Sequence, residues 1–270
     1  MSFIVLLTDF GLENNFTGVV KGVIYSVNPE AKIIDLTHNI SPQDIKEGAF
    51  YLLTSYKYFP QNTIFVVVID PGVGSKRKIV LVKTAKYYFL APDNGVLSWV
   101  LKKEKIERII EVSEEKYFIN PVSSTFHARD IFAPVAGYLS KGSPVENFGK
   151  EVKRIAFFPF PQPKIEKNFI KGKILLIDRF GNAITNLSLK EFDFLREGNF
   201  VLKIKSAKVT RVHKFYSEVE KKDKEPFIIA GSSGFWEISL NQKNFAKEFN
   251  IGKEREFLIE ITKAYGKKDE

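Results

Sequence analysis

The sequence predicts an α/β protein: an N-terminal, largely parallel sheet flanked by helices, followed by a second, small all-β domain. Three observations carry this. Over the first 155 or so residues, buried-strand patterns alternate with amphipathic-helix patterns. At 156–169 the alternation stops in "AFFPFPQPKIEKNF". Beyond it, short apolar runs are separated by turn residues, with no helical period between them.

The elements follow in order. "FIVLLTDFG" (3–11) reads as a buried strand ending in a turn. In 14–30, Val19, Val20, Val23, Ile24 and Val27 recur at helical spacing. A strand is expected over 32–38 and a helix over 41–60, with Ser41 as N-cap and Pro42 at its first position. The apolar run Ile64–Ile69 is a strand buried on both faces, and it runs directly into Asp70. "KIVLVKT" and "YYFLAPDNG" follow as strands, then Ile106–Val112, then a helix over Arg129–Leu139. Strands separated by helices imply a parallel sheet covered on both faces.

Three prolines in five positions, 159 to 163, cannot continue a helix or a strand, so 156–169 is expected to be a stiff linker. The expected domains are therefore 1–155 and 170–270. In the second, "GKILLID", "NFVLKIK", "KEPFIIAG", "FWEISL" and "REFLIEIT" read as the strands of a small barrel or sandwich.

Composition narrows the function classes. No apolar run approaches the roughly 18 residues that span a bilayer. The opening "MSFIVLLTDFG" lacks a basic n-region, and its apolar run is short for a signal peptide. The absence of cysteine removes disulfides and thiolate metal sites and fits a cytoplasmic protein. A net charge of +9 raises the possibility of nucleic acid as a partner, through a C-terminal oligonucleotide-binding barrel. The lysines, however, are interleaved with glutamates, as in "KKEKIER" (102–108) and "EVEKKDKE" (218–225), which is the pattern of solvated faces. No nucleic-acid partner and no membrane partner are expected.

Three aspartates close apolar runs: Asp9 in "LLTDFG", Asp70 in "VIDPGVG" and Asp178 in "LLIDRFGN". A single such aspartate is ordinary turn vocabulary. Asp9 and Asp70 share one expected sheet, and parallel strands place both at one rim, where open α/β sheets carry their sites. Gly72 and Gly74 lack the third glycine of a dinucleotide loop. With three histidines in all, a three-histidine metal centre would require His38, His127 and His213 to converge across two domains. No metal and no cofactor are expected. A metal-dependent nucleoside or nucleotide hydrolase with Asp9 and Asp70 as ligands stands as an alternative.

Taken together, "TDFG", "DPGVGS.R", "FHARDIFAP", "DRFGN" and "SSGFWEI" occur in an order that resembles the S-adenosyl-L-methionine (SAM) hydroxide adenosyltransferases, relatives of the bacterial fluorinases and chlorinases. The resemblance runs from Thr8 to about Gln242. It implies an N-terminal α/β domain with a C-terminal β-barrel, and hydrolysis of SAM to adenosine and L-methionine by attack on ribose C5′. It also implies a homotrimer with sites shared between subunits.

The resemblance assigns residues as well. Asp70, Arg77 and His127 match the trio that holds the attacking water or hydroxide. Asp9 matches the acid on the ribose 2′- and 3′-hydroxyls, where two carboxylate oxygens suit a vicinal diol. Asp178 matches a partner of the methionine ammonium, and Asn182 a partner of adenine. Ser232 and Ser233 match contacts to the methionine carboxylate; the halogenating relatives carry an arginine where this chain has Ser233. Asn14, Asn15 and Phe16 match a ribose-side loop, and Leu240 and Gln242 an adenine-facing edge. The halogenating relatives also carry an uncharged residue where this chain has Asp70. A halide about 4 Å from a carboxylate meets roughly 4 kcal/mol of repulsion at an effective dielectric of 20. Hydrolysis is therefore expected over halogenation.

Overall fold

The structure, a computed structural model, describes residues 2–219 and 224–261. Part of the charged run at 218–225, and residues 262–270 of the expected C-terminal domain, lie outside the described residues. The chain divides into two compact units, Met1–Phe160 and Pro161–Glu270.

In the first unit, β1 (Phe3–Thr8), α1 (Phe16–Val27), β2 (Lys32–Thr37), α2 (Ile45–Ser55), β3 (Ile64–Val68), β4 (Ile79–Thr84), β5 (Tyr88–Pro92), α3 (Ser98–Leu101), β6 (Ile106–Val112), α4 (Ala133–Ser140) and β7 (Gly149–Glu151) follow one another. The seven strands form one sheet in the order β2-β1-β3-β5-β4-β6-β7. It is parallel across β2-β1-β3-β5 and antiparallel from β5 to β7. The change of direction follows from the short β4–β5 connection, which leaves room for a turn and not for a crossover helix.

Strand alternation sorts the core into two layers. Ile4, Leu6, Val66 and Val68 pack with Val20 and Ile24 of α1 and with Ala133, Val135, Ala136 and Leu139 of α4. Val5, Leu7, Phe65, Val67 and Ile69 pack with Leu52 of α2 and Val100 of α3 on the other face. The uninterrupted apolar run at 64–69 is what a strand covered on both faces requires.

Two helix starts differ from the sequence reading. Asp44, not Ser41, caps α2: its side chain accepts the Glu47 N–H at 2.9 Å. Gln43, at φ 66°, holds a left-handed conformation that separates Ser41 and Pro42 from the helix. The helix expected over Arg129–Leu139 begins as a π-helical turn, Ala128–Phe132, before α4.

The stretch 156–169, expected as a stiff linker, is tied down along its length. The Ala156 N–H donates to Asp93 Oδ1, and the Phe158 and Phe160 rings stand edge-on to Trp99, with centroids 5.5 and 5.0 Å away. Its second part contains β8 (Lys164–Glu166), which pairs with the next strand.

In the second unit, β8, β9 (Phe169–Ile177), β10 (Ala183–Ser188), β11 (Phe200–Ile204), β12 (Ala207–Val209), β13 (Arg211–His213), β14 (Phe227–Ala230), β15 (Phe235–Ser239), α5 (Phe245–Glu248) and β16 (Glu256–Ile261) build one sheet of nine strands and a short helix. The order is β12-β11-β16-β9-β10-β15-β14-β13, with β8 beside β9. Its two end strands, β12 and β13, are joined by the single residue Thr210. Opposite edges of a sheet can be one residue apart only if the sheet curls round on itself, which makes this unit barrel-like. Trp236, Phe200, Phe245, Ile238 and Ile259 fill its interior.

Candidate active site

The parallel register fixes where the N-terminal acids stand. Thr8 on β1 pairs with Val68 on β3, so Asp9 and Asp70 leave neighbouring strands at the same carboxyl rim. The turn after β3 then brings Arg77 back onto Asp70. Arg77 Nε donates to Oδ1 at 2.9 Å and Nη2 to Oδ2 at 2.5 Å, a two-pronged pair that is largely buried. Gly74 in this turn has φ 77°, and a Cβ there would fall 2.0 Å from the Ser124 carbonyl oxygen. Only glycine lets the turn approach the 123–125 loop so closely.

That loop delivers the third member. Arg77 Nη2 also donates to His127 Nδ1 at 2.8 Å, so one amino group serves both Asp70 and His127. Arginine has no acceptor, so the ring nitrogen facing it must be the lone-pair nitrogen, and a neutral His127 carries its proton on Nε2. Burial, then the Arg77 charge, pushes the His127 pKa below its ordinary value, against smaller opposing effects of Asp70 and Asp130. The imidazole is thus held neutral, with Nε2–H as a donor.

Asp130 anchors this arrangement from beneath. It is fully buried, accepts the Ser123 N–H at 2.8 Å and pairs with Arg129. Opposing its burial, the bonds from Arg129 and Ser123 leave its carboxyl below the ordinary value. Asp9 lies nearby in the chain's topology: its Oδ2 accepts the Gln43 N–H at 2.8 Å. Phe10, Phe16 and Phe126 form a triangle of edge-on rings with centroids 5.2 to 6.1 Å apart. The triangle ties the Asp9 loop and the start of α1 to the residue before His127. Asn14 and Asn15 are exposed on the same loop. The trio is therefore in direct contact, and the Asp9–Phe16 segment is packed beside it.

The C-terminal residues gather separately. Asp178 closes the β9–β10 turn: Oδ1 accepts the N–H groups of Phe180 and Asn182 at 2.9 and 2.8 Å, and Oδ2 accepts Asn182 Nδ2 at 2.8 Å. Asp178, Asn182, Ser232, Leu240 and Gln242 line one cavity of about 1050 Å³. Ser233 does not line it, and its Oγ is buried without a hydrogen-bond partner among the described residues. The cavity wall also includes Tyr216 and Glu237, which sequence reasoning missed. The available signal for Glu237 was an acid flanked by Trp236 and Ile238 in "FWEIS".

Among the described residues, no group of three or more His, Asp and Glu side chains could hold a metal ion. No helix among them is long and apolar enough to cross a membrane.

The chain matches known proteins over nearly its whole length. Residues 4–149 match the SAM hydroxide adenosyltransferase N-terminal domain, and residues 172–257 its C-terminal domain. An (R)-S-adenosyl-L-methionine hydrolase of Methanocaldococcus jannaschii is 36% identical over 98% of this chain and 97% of its own. A fluorinase of Nocardia brasiliensis is 26% identical over 72% of this chain and 74% of its own. A crystal structure of an uncharacterized conserved protein from Thermotoga maritima superposes with a TM-score of 0.88 at 34% identity, over 95% of this chain and 99% of that one. With both family domains matched in order, the chain belongs to the SAM hydroxide adenosyltransferase family.

Proposed function

We propose that this protein hydrolyses SAM to adenosine and L-methionine. The observation that carries the reading is the single Arg77 amino group shared between the Asp70 carboxylate and the neutral His127 ring. Around a bound water, this arrangement supplies an acceptor (Asp70), a donor (His127 Nε2–H) and a fixed positive charge. Water has a pKa of about 15.7, far above any of these groups, so it is not deprotonated in advance. The groups align it with C5′, and as the C5′–O bond forms its proton passes to Asp70. The C5′–S bond breaks, and the electron pair stays on sulfur as the neutral thioether of methionine. A sulfonium needs no acid catalyst to leave.

Asp9 then takes the ribose diol, flanked by Asn14, Asn15 and Phe16, while Asn182, Leu240 and Gln242 face adenine. Asp178 takes the methionine ammonium and Ser232 its carboxylate, with Ser233 contributing through its backbone N–H and not its buried hydroxyl. The carboxylate of Asp70 disfavours a halide at the water position, which separates this chain from halogenating relatives. In water enriched in heavy oxygen, the label is expected on adenosine O5′, read by mass spectrometry. Methylthioadenosine and homoserine lactone as products would rule the reading out.

The water and ribose groups belong to the first unit and the methionine and adenine groups to the second. We further propose that the protein is a cytoplasmic homotrimer whose sites combine groups from neighbouring subunits. Two inactive variants, Asp70→Ala and Asp178→Ala, are then expected to regain turnover when dissociated and reassociated together. Mixed oligomers of verified composition that stay inactive would count against shared sites and leave the hydrolysis reading intact.

A further inference from the structure

Glu237 sits in the middle of β15, opposite Ile229 of β14 and Ile184 of β10. It is only 8% exposed, yet it lines the ligand cavity of the second unit. Its carboxyl rests on bare backbone: a Cβ at Gly231 would fall 2.0 Å from Glu237 Oε1. Where it borders the cavity, the carboxyl has no hydrogen-bond or ion-pair partner among the described residues. A buried carboxylate with no partner is costly to keep. The surroundings add to that cost, because burial, then the Asp178 charge, pushes the Glu237 pKa up to about 7.

The other groups facing it do not relieve this. Tyr216, whose own pKa is raised by burial against the opposing bond to Ser239, stands over Ser239 with its hydroxyl 3.5 Å from the serine oxygen. His213 on β13 turns its ring onto Phe227. Lys214 and Lys243 are exposed on the cavity wall. What the cavity holds is two carboxyls and no buried cation among the described residues.

The acceptor count shows what is missing. A carboxylate offers about four lone-pair positions, and an ammonium brings three N–H donors. Asp178 already spends three acceptor positions on its own turn. It cannot by itself satisfy an ammonium, whereas no side-chain hydrogen bond among the described residues occupies the acceptor positions of Glu237.

We propose that Glu237 is a second, proton-gated carboxylate of this cavity, the specificity-determining group that takes the ligand's ammonium together with Asp178 and gives up its own proton in exchange. The proposal rests on SAM being the ligand. Binding thus releases a proton around neutral pH, and a nucleoside thioether that lacks the ammonium gains nothing from Glu237.

The test uses two thioethers that the reaction does not consume. S-Adenosyl-L-homocysteine carries the ammonium; 5′-methylthioadenosine carries the same nucleoside without it. With a pKa of about 7, Glu237 is roughly 10% ionised at pH 6 and 90% at pH 8. Calorimetric titration of the wild-type protein is expected to give a Kd for S-adenosylhomocysteine up to about tenfold tighter at pH 8 than at pH 6. It should also release about half a proton per ligand at pH 7, read from buffers of different ionisation enthalpy. Methylthioadenosine should show neither effect. Glu237→Gln should lose the pH dependence and the proton release for S-adenosylhomocysteine while binding methylthioadenosine normally, which also certifies its fold.

Proton release that survives in Glu237→Gln, or the same pH dependence with methylthioadenosine, overturns the proposal; if wild type still forms adenosine from SAM, the hydrolase reading stands. No adenosine from wild type, with neither thioether bound, overturns both.

Discussion

Asp70→Asn is expected to lower kcat for SAM hydrolysis by about two to three orders of magnitude while KM stays within a few-fold. The amide keeps the size of the carboxyl and loses the ability to accept the water's proton. It also leaves Arg77, which is largely buried, without its two-pronged partner, so the amino group that orients His127 is free to turn. Both effects act on the chemical step and neither touches the substrate contacts assigned to Asp9 and Asp178. Asp9→Ala is the matched comparison: losing the diol contacts should raise KM first. Steady-state assays of the two variants separate the roles. An Asp70→Asn variant that turns over like wild type would remove Asp70 from the reaction.

The second large effect is on stability. Glu237 has an ordinary pKa of 4.5 and is raised to about 7 in the fold. The folded state therefore holds this proton more tightly than the unfolded chain does. Below pH 4.5 both states carry the proton and the carboxyl costs nothing. As pH rises from 4.5 through 7, the unfolded chain releases its proton first and stability is lost; above 7 the loss is complete. A difference of two to three pH units corresponds to about 3 kcal/mol. Glu237→Gln, which has no charge to bury, should be more stable than wild type by about that amount at pH 8 and equal to it at pH 4. Denaturant midpoints of the ligand-free protein at the two pH values measure this. Equal midpoints at pH 8 would show that the fold does not resist the Glu237 charge.

The sequence made the backbone framework of the first unit legible because its central strands, β1, β3 and β5, are almost wholly apolar. Ile64–Val68 has no polar residue to confuse the period, and its end dictates where Asp70 stands. The α2 cap was misplaced because Ser41-Pro42 has the local chemistry of a helix start, while the left-handed turn at Gln43 leaves no trace in residue type. In the second unit, β10 went unread because "AITNLS" buries polar residues. Thr185 Oγ1 donates to the Trp236 carbonyl, and Asn186 both donates to the Pro161 carbonyl and accepts the Lys173 N–H. Side chains satisfied inside a fold look, from sequence, like turn residues.

The site divides in the same way. Asp70, Arg77 and His127 could be selected as a set through their motifs, and the structure puts them in contact. That Nε2 of His127 carries the proton follows only from the direction of Arg77. Glu237 was passed over because an acid in an alternating strand reads as a residue facing water; burial, not residue type, makes it unusual.

The π-helical turn before α4 has a consequence of its own. There the Ala133 N–H reaches back five residues to the Ala128 carbonyl, so the turn contains one residue more than an α-helix would use. Each residue of an α-helix advances about 100° around its axis. The inserted residue therefore acts as a phase shifter between two demands on one continuous helix. Downstream, Ala133, Val135, Ala136 and Leu139 must point at the sheet. Upstream, His127 must point at Arg77. A uniform helix would tie these directions together, so that any sequence drift improving the core would rotate the imidazole. The extra residue uncouples them, leaving the hydrophobic face free to vary while the aim of the His127 ring at Arg77 is kept.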